Sequence, residues 1–505
     1  MYPFLFSNLG SIKDYESGET WKRDVFFKEI NIRISYFKKV GIKEKEKVLL
    51  CHGNNSIFFA DLFALWCLNA TAVCLDNNVG ISEFNNIVKS CKSKYVIIKD
   101  KKPEKLKSYR NSLLKYINTN KCYAFKEKKS SSITFKPHFE NIALILFTSG
   151  TTGVPKGVVH TFRTLIAKWI TLKEHVPLKY LKKSLCLLPT NFGHGLICNC
   201  LYPLLNGKDL LILPKFNITL LSKINKILDQ NAITFMSSVP SVWKIILELS
   251  KQPKNKSLKL ITCGSAPLSS FLWSKIQKWA LIKRVWNTYG ITETGSWIAG
   301  TKGNAVVPFD GKTGMGWGTN ILISKESNRM SKNTSLLESN FYKKRNIRGY
   351  IWVQTPCLMQ GYLNQTKATN SVVLGSWFFT GDIGYLDSKN NLVLTGRVRN
   401  EINTGGIKVT PEDIDIILEK HSNIEESCTF GLPDKLAGEI VATAIVLKNN
   451  KSLHSSELNK WIKKFISDYK SPKVWYKVKE IPKTSRGKIN RDEVAKFCVN
   501  LEKMK

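Results

Sequence analysis

At 505 residues the chain is too long for one ordinary hydrophobic core, so two or more domains are expected. A composition of 43% hydrophobic and 23% charged residues is that of a globular protein and excludes the disordered and fibrous classes. The formal charge of +38, from 77 basic against 39 acidic residues, is strewn along the whole length with no basic block interleaved with aromatics, which favours compositional drift toward Lys, Asn and Ile over a nucleic-acid or anionic-membrane partner.

The first residues, Met1-Tyr-Pro-Phe-Leu-Phe-Ser-Asn8, have no basic n-region and no sustained apolar stretch, so no secretory signal is expected. No run approaches the roughly 20 apolar residues that span a bilayer, so no transmembrane segment is expected either. Most of the 12 cysteines stand singly, Cys67, Cys74, Cys263 and Cys357 among apolar neighbours, the usage of a reducing cytoplasm. Cys198 and Cys200 make the one close pair, and without a second pair at ligand spacing no zinc site is expected.

Short β-branched runs at 47–51, 95–98, 142–147, 209–213, 234–237 and 258–262 read as strands, and amphipathic stretches alternate with them, the pattern of an α/β protein. Over 161–172 Phe162, Leu165, Ile166, Trp169 and Ile170 share one helical face, with Thr161 as the cap. The polar stretch 324–348 reads as a surface loop or hairpin. From about Val398 a separate small α/β unit begins and ends in a Lys-rich helix, with the hinge in Thr395-Gly-Arg-Val-Arg-Asn400.

The strongest chemical signal is Phe147-Thr-Ser-Gly-Thr-Thr-Gly-Val-Pro-Lys-Gly157, set between a strand and a helix. Gly150 and Gly153 allow a tight turn whose N–H groups converge on phosphate oxygens. The hydroxyls of Thr148, Ser149, Thr151 and Thr152 add donors, and Lys156 adds a positive charge. The loop is not a Walker A, because Gly-Lys-Ser/Thr is missing and Pro155 precedes the lysine.

This segment resembles the phosphate loop of the adenylate-forming superfamily, which holds acyl-CoA synthetases, peptide-synthetase adenylation domains and luciferases. Asn287-Thr-Tyr-Gly-Ile-Thr-Glu-Thr-Gly295 is similar to that family's Tyr-Gly-x-Thr-Glu motif. The resemblance implies that Tyr289 and Gly290 lie at the nucleotide, that Thr292 contacts the α-phosphate and that Glu293 binds Mg²⁺, a cation that wants hard carboxylate oxygens. Gly375-Ser-Trp-Phe-Phe-Thr-Gly-Asp-Ile-Gly384 resembles the ribose motif, which gives Asp382 both ribose hydroxyls; a carboxylate suits a diol because it offers two acceptor oxygens. Thirteen residues on, Thr395-Gly-Arg397 supplies the ribose-contacting arginine. Near the end, Pro482-Lys-Thr-Ser-Arg-Gly-Lys-Ile-Asn-Arg491 matches the frame of the family's catalytic lysine, here Lys488.

Weaker matches fall in the same order. Leu188-Pro-Thr-Asn-Phe-Gly-His-Gly195 is similar to the segment whose aromatic and histidine line the acyl tunnel, here Phe192 and His194. Cys263-Gly-Ser-Ala-Pro-Leu268 resembles the turn against adenine, implying Gly264, Ser265 and Ala266 there. Gly405-Gly-Ile-Lys408 places Gly406 on the thiol channel. Gly290 leaves the tunnel unblocked, and Trp297 narrows it farther in.

Two positions depart from the family pattern. Arg399 stands at the hinge where Asp or Lys is usual, and Tyr350 stands where Glu is common.

The resemblance therefore implies a large multi-sheet α/β N-terminal AMP-binding domain, 1–396, and a small mobile α+β C-terminal domain, 397–505, that carries Lys488. The expected activity is that of a cytoplasmic acid-thiol ligase. ATP with Mg²⁺ activates a small or medium carboxylic acid to an acyl-adenylate, which coenzyme A captures. An acyl carrier protein's phosphopantetheine is the alternative acceptor. From another class, the alternative is a basic nucleotide- or nucleic-acid-binding protein that has lost catalysis.

Overall fold

The computed structural model describes residues 8–124, 135, 137–148, 155–214, 218–325, 341, 344–405, 407–448, 453–484 and 488–504. Three sheets organise them. A fourteen-stranded sheet has at its centre a parallel run of Asp209–Ile212, Lys183–Cys186, Phe235–Ser238, Leu260–Gly264 and Val285–Ile291. These strands are buried almost throughout, as parallel strands covered on both faces must be. From Ser296–Gly300 the same sheet turns antiparallel and continues through Lys312–Gly316, Leu392–Arg397, Trp377–Leu386 and Gly349–Gln354.

The seven-stranded second sheet carries the hairpin of Ile142–Thr148 and Lys156–Thr161 next to Thr71–Cys74. The third sheet has five strands, starts at Ile402 and packs the helices Pro411–Leu418, Ser455–Ile462 and Arg491–Val499 around its own apolar clusters. The fold class expected from the sequence is thus the one observed.

Helix Phe162–His175 begins where its cap predicts, with the Thr161 hydroxyl accepting from the Thr164 N–H at 3.3 Å. Leu165, Ile166 and Trp169 are buried as expected, but Ile170 is 51% exposed. One residue on from Trp169 turns the side chain about 100° around the helix, off the apolar stripe. Lys168, which a polar-face reading assigns to solvent, is fully buried instead.

The small unit touches the large one through ion pairs. Lys244 reaches Glu419 at 3.0 Å and Glu426 at 3.5 Å, Arg348 meets Asp413 at 2.9 Å, and Lys420 meets Asp310 at 3.2 Å. Thr395–Arg397 still belong to the last strand of the large sheet, so the chain bends only after Arg397, in the short 3-10 turn Val398–Asn400 that presents an exposed Arg399. All twelve thiols are free; eleven are buried and Cys67 is half-buried. No helix among the described residues is long and apolar enough to cross a membrane.

Candidate active site

The parallel strands deliver their polar residues at their C-terminal ends, where open α/β sheets place ligands. Ser237 comes from Phe235–Ser238, Gly264 and Ser265 from the end of Leu260–Gly264, and Tyr289 to Glu293 from the end of Val285–Ile291 and the 3-10 turn after it. Gly264 has no room for a side chain, since a Cβ there would stand 2.4 Å from the Thr288 carbonyl oxygen. Ser265 takes a left-handed φ of 67°, and Ala266 beside it is half-buried.

Asp382 and Arg397 are direct cross-strand partners. The Arg397 Nε donates to Asp382 Oδ1, and the Tyr289 hydroxyl donates to Oδ2 at 2.6 Å. Tyr289 therefore orients the Asp382 carboxylate in this structure, and its own ionisation is pushed up by burial and by that carboxylate. Two carboxylate oxygens offer about four acceptor sites, so Asp382 keeps capacity for a vicinal diol.

Lys156 and the Thr292–Glu293 turn meet through Tyr362. Lys156 Nζ stands 5.0 Å from the centre of the Tyr362 ring, and the Tyr362 hydroxyl donates to Glu293 Oε1 at 2.8 Å. The Glu293 carbonyl accepts from the Met359 N–H at 2.7 Å. Thr148 pairs across the hairpin with Lys156 and donates to its carbonyl at 3.4 Å. Ser149, Gly150, Thr151, Thr152 and Gly153 lie outside the described residues, as does Gly406. A half-buried carboxylate offers the hard oxygens that a divalent cation such as Mg²⁺ seeks, so Glu293 fits such a cation.

Phe192, His194 and Trp297 come together as expected. The His194 ring lies 6.0 Å from Phe192 and 5.3 Å from Trp297, edge to face in the second case. Both imidazole nitrogens are engaged, Nδ1 with the Ser265 hydroxyl at 2.9 Å and Nε2 with the Ser237 hydroxyl at 2.6 Å. Lys488 reaches this wall from the small unit, its Nζ 5.5 Å from the Phe192 ring centre. Burial first, and the Lys488 charge second, push His194 down to about 3, so the ring is held neutral.

That shift has a testable sign. His194 takes up a proton near pH 6.5 in the unfolded chain and only near pH 3 in the folded one, so its contribution to stability is complete above pH 6.5 and is lost as pH falls toward 3. Urea unfolding across that window should show wild type losing about 1.4 kcal/mol per pH unit more than His194→Gln. Equal slopes would mean that the imidazole is not held neutral.

Gly290 also has a packing reason for its size. A Cβ there would meet the Ser296 carbonyl oxygen at 2.1 Å, because the register slips between Tyr289 and Gly290 and the next strand closes in. Sequence reasoning also assigned no role to three residues. His160 Nε2 donates to the Thr292 carbonyl at 2.8 Å, Lys168 Nζ donates to the Trp297 carbonyl at 2.6 Å, and Tyr362 holds Glu293.

The Asp382–Arg397 pair, Glu293 held by Tyr362 and the lysine brought in by the small unit gather about the C-terminal ends of the parallel strands. The chain belongs to the AMP-binding enzyme family, whose model matches residues 26–363, and the family's C-terminal domain model matches 413–488. It is similar to a 4-coumarate–CoA ligase-like protein of Arabidopsis thaliana, 27% identical over 91% of this chain and 83% of that one. An oxalate–CoA ligase of Saccharomyces cerevisiae is 30% identical over 70% of this chain and 63% of its own length. The fold superposes on ATP-bound MatB from Rhodopseudomonas palustris with a TM-score of 0.87 at 19% identity, covering 98% of this chain and 99% of that one.

Proposed function

We propose that this enzyme joins a small or medium carboxylic acid to coenzyme A through an acyl-adenylate. The observation that carries the reading is the position of Lys488, whose ammonium reaches from the small unit to the wall formed by Phe192 and His194. In the first half-reaction the acid's carboxylate attacks the α-phosphorus of ATP and pyrophosphate leaves. Two anions must approach one another, and the Lys488 ammonium offsets their repulsion. Thr148, Lys156 and the loop between them hold phosphates, Thr292 donates to the α-phosphate, and Asp382 with Arg397 fixes the ribose. Gly264, Ser265 and Ala266 line the adenine. Glu293 would hold Mg²⁺, which supplies charge neutralisation at the phosphates when bound. Rate enhancement then comes from positioning and electrostatics, since no protein group becomes covalently bonded.

For the second half-reaction the part from Arg397 onward, 397–505, acts as a mobile domain. It turns at Arg399, withdraws Lys488 and brings Gly406 to the thiol channel. Support for coenzyme A rather than a carrier protein comes from the relatives, whose names pair different acids, coumarate and oxalate, with that one acceptor. Trp297, 2% exposed with its ring against His194, closes the acyl side and supports a short acid. The buried free thiols suit a reducing compartment, and we place the enzyme in the cytoplasm.

Pyrophosphate exchange against a panel of carboxylic and amino acids tests the reading, followed by addition of coenzyme A or a phosphopantetheinylated carrier protein. A short acid should support exchange and yield a coenzyme A thioester. Exchange with no acid at all would overturn the assignment, and thioester only on the carrier would overturn the acceptor.

A further inference from the structure

His160 lies on the strand Lys156–Thr161, which leads directly out of the phosphate loop, yet its side chain faces away from solvent and is fully buried. Its two nitrogens bridge separate elements. Nδ1 lies 3.3 Å from the Thr164 hydroxyl, at the start of the next helix. Nε2 lies 2.8 Å from the Thr292 backbone oxygen. A carbonyl oxygen can only accept, so Nε2 must donate, and that fixes where the ring carries a proton.

Thr292 opens the 3-10 turn Thr292–Thr294, which has no side-chain cap of its own. Such a turn is too short to hold its shape by internal hydrogen bonds alone. It is held instead from outside. Met359 binds the Glu293 carbonyl, the Thr294 hydroxyl binds the Ile291 and Ser296 carbonyls, and Gly295, at φ 66°, sits over the Lys168 side chain. Among these contacts, the one from His160 runs from the strand of the phosphate loop itself. A displacement of that strand therefore moves the Thr292 carbonyl, and with it the neighbouring Glu293.

We infer that His160 is a positioning residue that ties the phosphate-loop strand to the Thr292–Glu293 turn, so that the loop and the metal-binding carboxylate stay in mutual register. The inference rests on the reading of Glu293 as the Mg²⁺ ligand. It assigns no contact between His160 and substrate. A misplacement of about 1 Å far from the reacting atoms can cost on the order of 100-fold in rate, so a tie of this kind matters although it touches no ligand.

The test compares ATP affinity with and without Mg²⁺ by calorimetry, in the full-length chain, for wild type, His160→Leu, His160→Gln, His160→Asn and Glu293→Gln. Glutamine places an amide N–H near the position of Nε2, whereas the shorter asparagine does not reach it. Wild type and His160→Gln should bind ATP about 10-fold or more tightly with Mg²⁺ than without. His160→Leu and His160→Asn should lose most of that increment while keeping the affinity for metal-free ATP. If His160→Leu does not fold, glutamine against asparagine still decides, because both are polar amides. Retention of the increment by asparagine, or its equal loss in both amides, would overturn the tie. If Glu293→Gln also keeps the increment, the metal assignment itself fails; if only the His160 variants keep it, the metal assignment stands and the tie alone falls.

Discussion

Lys488→Ala is expected to lower pyrophosphate exchange roughly 100- to 1,000-fold, the loss seen when one preorganised charge-stabilising donor is removed from an active site. Thioester formation from pre-made acyl-adenylate should remain near the wild-type rate, because that step no longer brings two anions together at phosphorus. The variant should fold normally. Lys488 is carried by a turn of the small unit, in which the Thr484 N–H donates to the Lys488 carbonyl at 2.8 Å and the Lys488 N–H donates to the Thr484 hydroxyl at 3.2 Å. Truncation beyond Cβ leaves this backbone frame intact. Rapid-quench measurement of each half-reaction checks it, and an equal fall in both would refute the withdrawal of Lys488 between steps.

Asp382→Asn should have the next largest effect, on both binding and stability. The exchange keeps the shape but removes the charge that Arg397 and Tyr289 are built to meet. Fully buried pairs cost about 3–5 kcal/mol to break and exposed ones about 1 kcal/mol or less. Asp382 is 6% exposed at its side chain but Arg397 is 40% exposed, so a loss of about 2 kcal/mol is expected. ATP affinity should fall roughly 30-fold as the charged acceptor of two hydroxyls becomes a neutral amide. The discriminating measurement replaces ATP by 2′-deoxy-ATP. Wild type should bind the deoxy nucleotide much less tightly than ATP, whereas Asp382→Asn should barely distinguish them. A variant that discriminates as well as wild type would remove Asp382 from the ribose.

Much of this site was legible because its residues sit in local motifs whose composition survives inspection one segment at a time. Asp382, Arg397, Glu293 and Lys488 each stand out in such a motif. What the motifs could not show was pairing. Asp382 opposite Arg397, and Tyr289 turned toward both, depend on the register of strands that meet only in the folded sheet. His160 was passed over because a single histidine among Val158, Val159 and Phe162 reads as ordinary core. Lys168 was passed over because helical periodicity sends a lysine to the polar face, whereas this one is buried under the Thr292–Gly295 turn. The segment 395–400 reads as a hinge in the sequence, and within it Thr395–Arg397 end a strand of the larger sheet, which pairing between distant segments decides.

The closeness of Gly290 to the neighbouring strand also limits how the acid preference of this enzyme can change over generations. Any side chain at 290 would have to displace the Ser296 carbonyl, 2.1 Å from where its first carbon would stand, and with it the strand that carries Trp297. A bulky residue at 290 is therefore closed to this lineage by single substitution. Trimming Trp297 would break no indole hydrogen bond, but it would empty a buried ring site packed on His194 and Trp317 at a cost of about 3–5 kcal/mol.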